Sequence, residues 1–338
     1  MDGINLSTFF TGFSAAFFTI FACLQLSAPR RTRFQTVLGY TLVVWALFSW
    51  KDIILSFPQF YNEQTLNIIM LVDGWSAITY AVFIFEITQP GWTTWRRIAW
   101  HVLPFAAFTI VYALKPDITI IYAYAVFLWC YAWTVVIIAF VRCRRYIHYI
   151  HQNYSNIDEI DISWLRPIFG FCILSQLTWF ATSLLQNVYI DTLYYITTLL
   201  MWVMVLRYTR NFSPVIIKQS ESTESGIKDY AFKDRVETIL KDEELYLNKQ
   251  LTLEELAGAV GTNRTYLSSY FNNVVGKPFY DYVNQLRITQ KAIPLMRAHP
   301  EYTLEYIAEQ SGFNSISTFR RAFIKFNGKN PSQWRQDT

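Results

Sequence analysis

Seven stretches of this chain are too long and too apolar to be ordinary core segments: about 4–26, 35–57, 64–87, 98–114, 118–141, 164–186 and 192–208. A helix needs about 20 apolar residues to cross a bilayer core. Helix is also the form in which a single segment satisfies its own backbone groups without water. The runs therefore constrain the first two thirds of the chain to a bundle of membrane helices joined by short connections. Pro29, Pro58, the pair Pro90-Gly91, and Pro116 punctuate four of those connections. Trp92, Trp95, Trp100 and Trp164 lie near run ends, where amphipathic rings favour the interface. Met1–Leu26 has neither a basic start nor a small-residue cleavage site, so it reads as a first span and not as a cleaved leader.

Charge is segregated to match. Of 29 Lys and Arg residues 11 precede Arg207, as do 10 of the 25 Asp and Glu, so the last third alone has the charge density of a soluble domain. Alternate connections carry Arg30, Arg31 and Arg33, then Arg96 and Arg97, then Arg142, Arg144 and Arg145, while the others carry Lys115 alone. Basic residues stay inside. The expected topology has the N-terminus outside a bacterial inner (cytoplasmic) membrane, multiple passes, and exit at Arg207 and Arg210 into the cytoplasm. Buried helices of a soluble protein would have no reason to alternate basic flanks. The four cysteines show no CxxC spacing and read as reduced and structural. A net charge of +4 is too small to argue for nucleic acid by itself.

Ionisable groups inside spans are costly and mark functional positions. Lys51 and Asp52 fall roughly 9 Å from the outer end of the second run and Asp73 roughly 13 Å into the third, at 1.5 Å per residue. A Lys51–Asp73 pair with Trp50 and Trp75 nearby would line an outward-facing pocket, so these residues are the signal-sensing candidates. A structural ion pair locking the two spans is the plainer reading of the same residues. Glu86 is read as reaching the inner interface, and His101 as a hydrogen-bonded packing residue. His148 and His151, followed by Asp158, Glu159 and Asp161, read as a solvated helical extension and loop and not as a metal site. No catalytic signature occurs: HExxH, GxSxG and a phosphate-binding loop are all missing from the sequence. No catalytic residue, cofactor or metal is assigned.

The last third says almost the same thing twice. Leu253, Leu256, Ala257 and Gly261 recur 51 residues later as Leu304, Ile307, Ala308 and Gly312, and Leu267, Phe271 and Gly276 recur at an offset of 52 as Phe319, Phe323 and Gly328. Each copy predicts a capped helix, a glycine turn and a second helix. Thr252 and Glu255 form a capping box, and Gly261 suits a left-handed helix end. Thr303 and Ser315 are the corresponding caps in the second copy, and Phe313 plugs its turn. The outward faces of the second helices carry Arg264, Thr265, Ser268 and Ser269 in one copy, and Ser317, Arg320 and Arg321 in the other. Lys325 and Lys329 follow. Arginine reads guanine bidentately and hydroxyls reach bases or phosphates, while the lysines suit phosphate. A long helix from Phe279 to about Arg297 joins the copies, and Pro294 inside it is expected to kink it.

The segments Tyr266–Ile288 (YLSSYFNNVVGKPFYDYVNQLRI) and Ile307–Arg335 (IAEQSGFNSISTFRRAFIKFNGKNPSQWR) resemble the DNA-binding domain of the AraC/XylS family. The resemblance implies two helix-turn-helix units on a rigid connecting helix, entering successive major-groove segments of double-stranded DNA, and transcriptional regulation. Ser269 departs from the arginine that many members carry there, which shifts readout toward Arg264. The resemblance covers about a third of the chain.

The expected fold class is all-α: a polytopic seven-helix transmembrane bundle (1–209), a linker (210–228) and a soluble double helix-turn-helix domain (229–338) with units at about 252–272 and 303–326. The expected function is a membrane-anchored one-component transcription regulator. Its expected partners are DNA, the lipid bilayer and a small-molecule or membrane signal, with a homodimer as a further expectation. The alternatives are a transporter or intramembrane enzyme that carries a DNA-binding domain, and a latent factor released by proteolysis in the linker.

Overall fold

A computed structural model of the chain describes residues 2–55, 57, 63–185, 187–217 and 230–336. Pro58 and most of the expected linker lie outside them. Every regular element among the described residues is helical. The chain divides into two compact units, Met1–Arg144 with Ile162–Ile216, and Arg145–Asp161 with Ile217–Thr338.

The first unit is built from α1 (Asp2–Ser27), α2 (Arg33–Leu55), α3 (Glu63–Gly74), α4 (Ser76–Thr88), α5 (Trp95–Leu114), the membrane part of α6 (Ile118–Asn153), α7 (Leu165–Leu185) and α8 (Val188–Thr209). Six helical stretches are long and apolar enough to cross a membrane: Leu6–Ser27, Arg33–Leu55, Gln64–Thr88, Trp95–Leu114, Ile118–Asn153 and Val188–Thr209. α7 is a further apolar helix of 21 residues in the same unit, packed beside α8. Apolar stripes face outward. Phe9, Phe13, Ile20 and Leu24 on α1, and Tyr122, Val126, Trp133 and Ile137 on α6, are exposed. Each set steps by four, seven and four, which is one helix face. Apolar patches of this extent mark an interaction surface, and with the lengths of the helices they suggest lipid.

Inside the unit, α1, α2, α4 and α8 meet at an aromatic cluster. Trp45 lies 5.5 Å from Phe18 and 5.9 Å from Trp202, and Phe83 lies 5.9 Å from Trp202. The third apolar run is one helical stretch, Gln64–Thr88, with a single turn residue at Trp75 between α3 and α4. A Cβ on Gly74 would lie 2.1 Å from the Tyr124 hydroxyl, which donates to the Leu71 carbonyl at 2.8 Å. The tyrosine occupies the space a side chain would need. Glu86 is buried near the end of α4, pairs with Arg33 at 3.1 Å and accepts from the Gly91 and Thr93 amides at 2.9 and 2.7 Å.

The second unit holds α9 (Lys233–Glu237), α10 (Leu253–Val260), α11 (Arg264–Tyr270), α12 (Phe279–Leu286), α13 (Ile293–Ala298), α14 (Leu304–Gln310), α15 (Ile316–Asn327) and α16 (Pro331–Gln336). It has two cores. Phe279, Val283 and Leu286 pack with the first copy's Leu253, Leu256 and Leu267. Ile288, Ala292 and Met296 pack with the second copy's Ile307, Phe319 and Phe323. At about 100° per residue the two sets fall on opposite faces of one helix, so the connecting helix is the wall both cores share. Pro294 sits at the start of α13, directly after a π-helical turn at Arg287–Ala292. The wider turn is how the ladder meets the missing amide donor of Pro294.

Both helix pairs are capped as their spacing predicts. Thr252 accepts from the Glu255 amide at 3.2 Å and its own amide donates to the Glu255 carboxylate at 2.8 Å. Thr303 and Ser315 accept from the Tyr306 and Thr318 amides, each at 3.2 Å. Gly312 turns the second copy at φ 83°, and a Cβ there would stand 2.8 Å from the Leu247 carbonyl oxygen. Gly312→Ala is therefore expected to destabilise the second unit by about 2 kcal/mol, combining left-handed strain with a backbone clash. Gly258→Ala lies in a helix with open space around it and should be neutral or stabilising by up to about 1 kcal/mol. Pulse proteolysis of the full chain in urea measures both.

Candidate nucleic-acid interface and carboxylate cavity

The reading helices of the two copies are α11 and α15. α11 begins with Asn263 accepting from the Tyr266 amide at 2.9 Å. Leu267 and Tyr270 bury one face, leaving Arg264, Thr265, Ser268 and Ser269 half-buried. Ser269 is engaged within the domain, its hydroxyl 2.9 Å from that of Tyr230 and accepting from Asn273 at 3.0 Å. On α15, Phe319, Ala322 and Phe323 are buried while Ser317, Arg320, Arg321, Lys325 and Lys329 are exposed. Lys325 is held by Asp281 at 2.6 Å. Arg320 and Arg321 thus form the more open cationic pair, on the helix whose amino end is fixed by the Ser315 cap.

The segment after the membrane part of α6 departs from expectation. It is not a solvated extension and loop. Tyr146, Ile150, Ser155 and Ile157 are buried, and the segment packs in the second unit with the helix-turn-helix copies. Tyr154 pairs with Thr252 as an isolated antiparallel bridge, and the Ser155 amide donates to the Leu251 carbonyl at 3.0 Å. Arg264 donates to the Asn153 side chain at 2.9 Å and lies 5.8 Å over the Tyr149 ring. The Thr318 hydroxyl donates to Asp158, and Arg321 stands 3.7 Å from the same carboxylate. His151 lies against Tyr280, ring centres 4.8 Å apart.

Arg287, which sequence reading passed over, holds this arrangement together. It is 1% exposed. Its Nε donates to the Tyr246 carbonyl at 2.7 Å and its Nη1 to the Ser155 carbonyl and the Asn284 side chain, both at 3.1 Å. Its Nη2 donates to the Ser155 hydroxyl at 3.1 Å and to the Asn248 carbonyl at 2.7 Å. Burial pulls the guanidinium down to about 10, so it stays charged at neutral pH. The sequence signal was available: position 287 follows Val283 by four on a buried face, where an arginine must have partners.

In the first unit, Lys51 lies between two carboxylates, 2.7 Å from Asp52 and 2.5 Å from Asp73. Both aspartates line a cavity of about 830 Å³ that Lys51 does not line, together with Asp191, Ser7, Ser14, Tyr194 and Tyr195. Asp191, which the sequence reading did not single out, accepts from Ser7 at 2.7 Å, and Asp52 accepts from Tyr195 at 3.0 Å. His101 is 2.7 Å from the Tyr131 hydroxyl. Among the described residues no cluster of His, Cys, Asp and Glu is arranged to hold a metal.

Residues 256–337 match the family model described as a helix-turn-helix domain. The carboxyl-terminal domain is a helix-turn-helix domain. An HTH-type transcriptional regulator of Staphylococcus aureus (strain COL) is 33% identical over 104 residues, which are 31% of this chain and 14% of that protein. The HTH-type transcriptional regulator YobQ of Bacillus subtilis (strain 168) is 32% identical over 90 residues, 27% of this chain and 36% of that protein. The chain therefore covers well under half the length of either relative. No solved structure matches it.

The helix-turn-helix domain should depend on the fork geometry of Arg287. Lysine offers three donors where arginine offers five in a plane. Arg287→Lys is expected to cost about 2–3 kcal/mol through carbonyls left without partners. It should raise hydrogen exchange at the Ser155 amide by roughly 30- to 100-fold, read by exchange mass spectrometry on the full chain.

Proposed function

We propose that this protein is a membrane-anchored one-component transcription regulator of AraC/XylS type. The observation that carries the reading is the pair of capped helix-turn-helix copies on one shared helix, with Arg320 and Arg321 exposed on the second reading helix. Relatives named HTH-type transcriptional regulators support it over the matched third of the chain. The six apolar helices and the eight-to-one bias of basic residues between alternate connections support a seven-span anchor with the N-terminus outside and the DNA-reading domain in the cytoplasm. In this reading α7 is the seventh span, tolerated despite its polar residues because it packs beside α8. DNA contacts come from Arg264, Thr265, Ser268, Ser317, Arg320 and Arg321, with Lys329 on phosphate. Ser269 and Lys325 contribute after exchanging their partners within the domain.

The cavity that holds Asp52 and Asp73 is the sensing site in this reading, with Lys51 fixing both carboxylates from behind. The transporter alternative calls for a pair of discontinuous helices, whereas Gln64–Thr88 runs as one helical stretch with a single turn residue at Trp75.

The reading is tested by recovering DNA cross-linked to the tagged full chain in producing cells. Discrete promoter sites are expected. Replacing both Arg320 and Arg321 with Ala should reduce recovery at least about tenfold, since each specific base contact contributes about 1–3 kcal/mol. Equal recovery by the double variant would remove the assignment of α15 as the main reading helix.

A further inference from the structure

The cavity of the first unit is chemically one-sided. Among the described residues, its lining carries three carboxylates, Asp52, Asp73 and Asp191, and no Lys, Arg or His. Lys51 compensates part of that charge from outside the lining. The rings of Trp45, Trp179, Tyr194 and Tyr195 also line it, and aromatic faces attract cations. Ser14 lines it too, 1% exposed, with a hydroxyl that has no hydrogen-bond partner. A buried hydroxyl without a partner is costly, and here it borders a space of about 830 Å³, the size of sites for small organic molecules. The carboxylates do not converge as metal ligands do.

We propose that the cavity binds a small organic ammonium compound. Its cationic head is taken by the Asp73–Asp191 side of the wall and the tyrosine rings, and a hydroxyl or amine group partners Ser14. This rests on the sensor reading of the cavity, and its test is independent of DNA. Thermal unfolding of the full chain in nanodiscs is followed with choline, ethanolamine and spermidine, and with inositol and glutamate as neutral and anionic controls. At least one ammonium probe should raise the midpoint saturably, by about 3 °C or more. Asp191→Asn and Ser14→Ala should each weaken the apparent affinity about tenfold or more. If Asp191→Asn fails to fold, Ser14→Ala decides. No shift with any ammonium probe, an equal shift with inositol or glutamate, or unchanged affinity in the folded variants overturns the proposal. In each case promoter recovery still reports separately on the transcription-regulator reading.

A second inference stands on different observations. The segment from Tyr149 to Asp158 touches the amino-terminal turn of both reading helices. Arg264, first residue of α11, is held by Asn153 and Tyr149. Thr318 and Arg321, in the first two turns of α15, meet Asp158. Helix amino ends and arginines are where DNA phosphate and base edges bind, and Asp158 places a carboxylate there. Its second oxygen is buried without a hydrogen-bond partner, so the contact is held at a cost and is releasable.

The geometry points to this segment as an internal cover of the DNA-reading surface, with Asp158 in the place of a DNA phosphate. It deepens the transcription-regulator reading by supplying its off state. The full chain in nanodiscs is titrated with a DNA site recovered as above. Asp158→Ala should tighten binding at least about fivefold. Glu159→Ala removes the same charge from an exposed neighbour and should leave binding unchanged. Equal effects of the two acidic variants would overturn the cover. No specific DNA binding by wild type and the acidic variants alike would instead count against the transcription-regulator reading itself.

Discussion

A charged guanidinium with five donors, buried to 1% exposure, can exist in this domain only because five acceptors converge on it. Those acceptors come from places far apart in sequence. Tyr246 and Asn248 precede the first helix-turn-helix copy, Asn284 lies on the shared helix, and Ser155 lies more than 100 residues upstream. The Arg287 side chain also lies 5.6 Å over Phe313, the plug of the second copy's turn. None of its partners is a carboxylate, so its charge is stabilised by dipoles alone. Removing any one strand of this node leaves polar groups dry, which is why both cores and the inserted segment stand or fall together.

Placement at the seam of two cores explains the rest of the domain. One helix must present Val283 and Leu286 one way and Ile288, Ala292 and Met296 the other. Arg287 is the residue at the crossover. The π-helical turn that begins there, and ends beside Pro294, accommodates both a bulky buried side chain and a missing amide donor. The first unit shows the opposite arrangement. Its outward faces carry apolar stripes, and polar groups lie inside at Glu86 and the carboxylate cavity.

The parts of this structure legible in sequence were those governed by local rules. Capping boxes, glycine turns and the spacing of Leu253, Leu256 and Leu267 depend on neighbours within a few residues, and so does the length of an apolar helix. The reading of Lys51 with Asp73 succeeded as a juxtaposition because ionisable residues in apolar runs have few places to go. What stayed hidden depends on distant partners. Nothing near Ser155 announces that its carbonyl and hydroxyl meet Arg287, and Asp158 to Asp161 look like any solvated acidic loop. Asp191 was passed over because its place near the start of α8 reads as an end-of-span residue. The fit of Tyr124 against Gly74 was hidden because the tyrosine lies on another helix.

These strengths also set how the cover would move. Contacts at its rim are fewer: Arg321, largely exposed, stands 3.7 Å from Asp158, a contact worth about 1 kcal/mol or less, and the Thr318 hydroxyl donates to the same carboxylate. Contacts at its centre are strong, since Ser155 satisfies two donors of a buried arginine. Release that freed the whole segment would have to expose Arg287, at a cost near the stability of the domain itself. Release that lifts the rim alone costs little, and coupling of about 1–2 kcal/mol shifts an equilibrium five- to thirtyfold. The segment therefore hinges at Ser155, with Asn153 and Asp158 leaving their reading helices on either side.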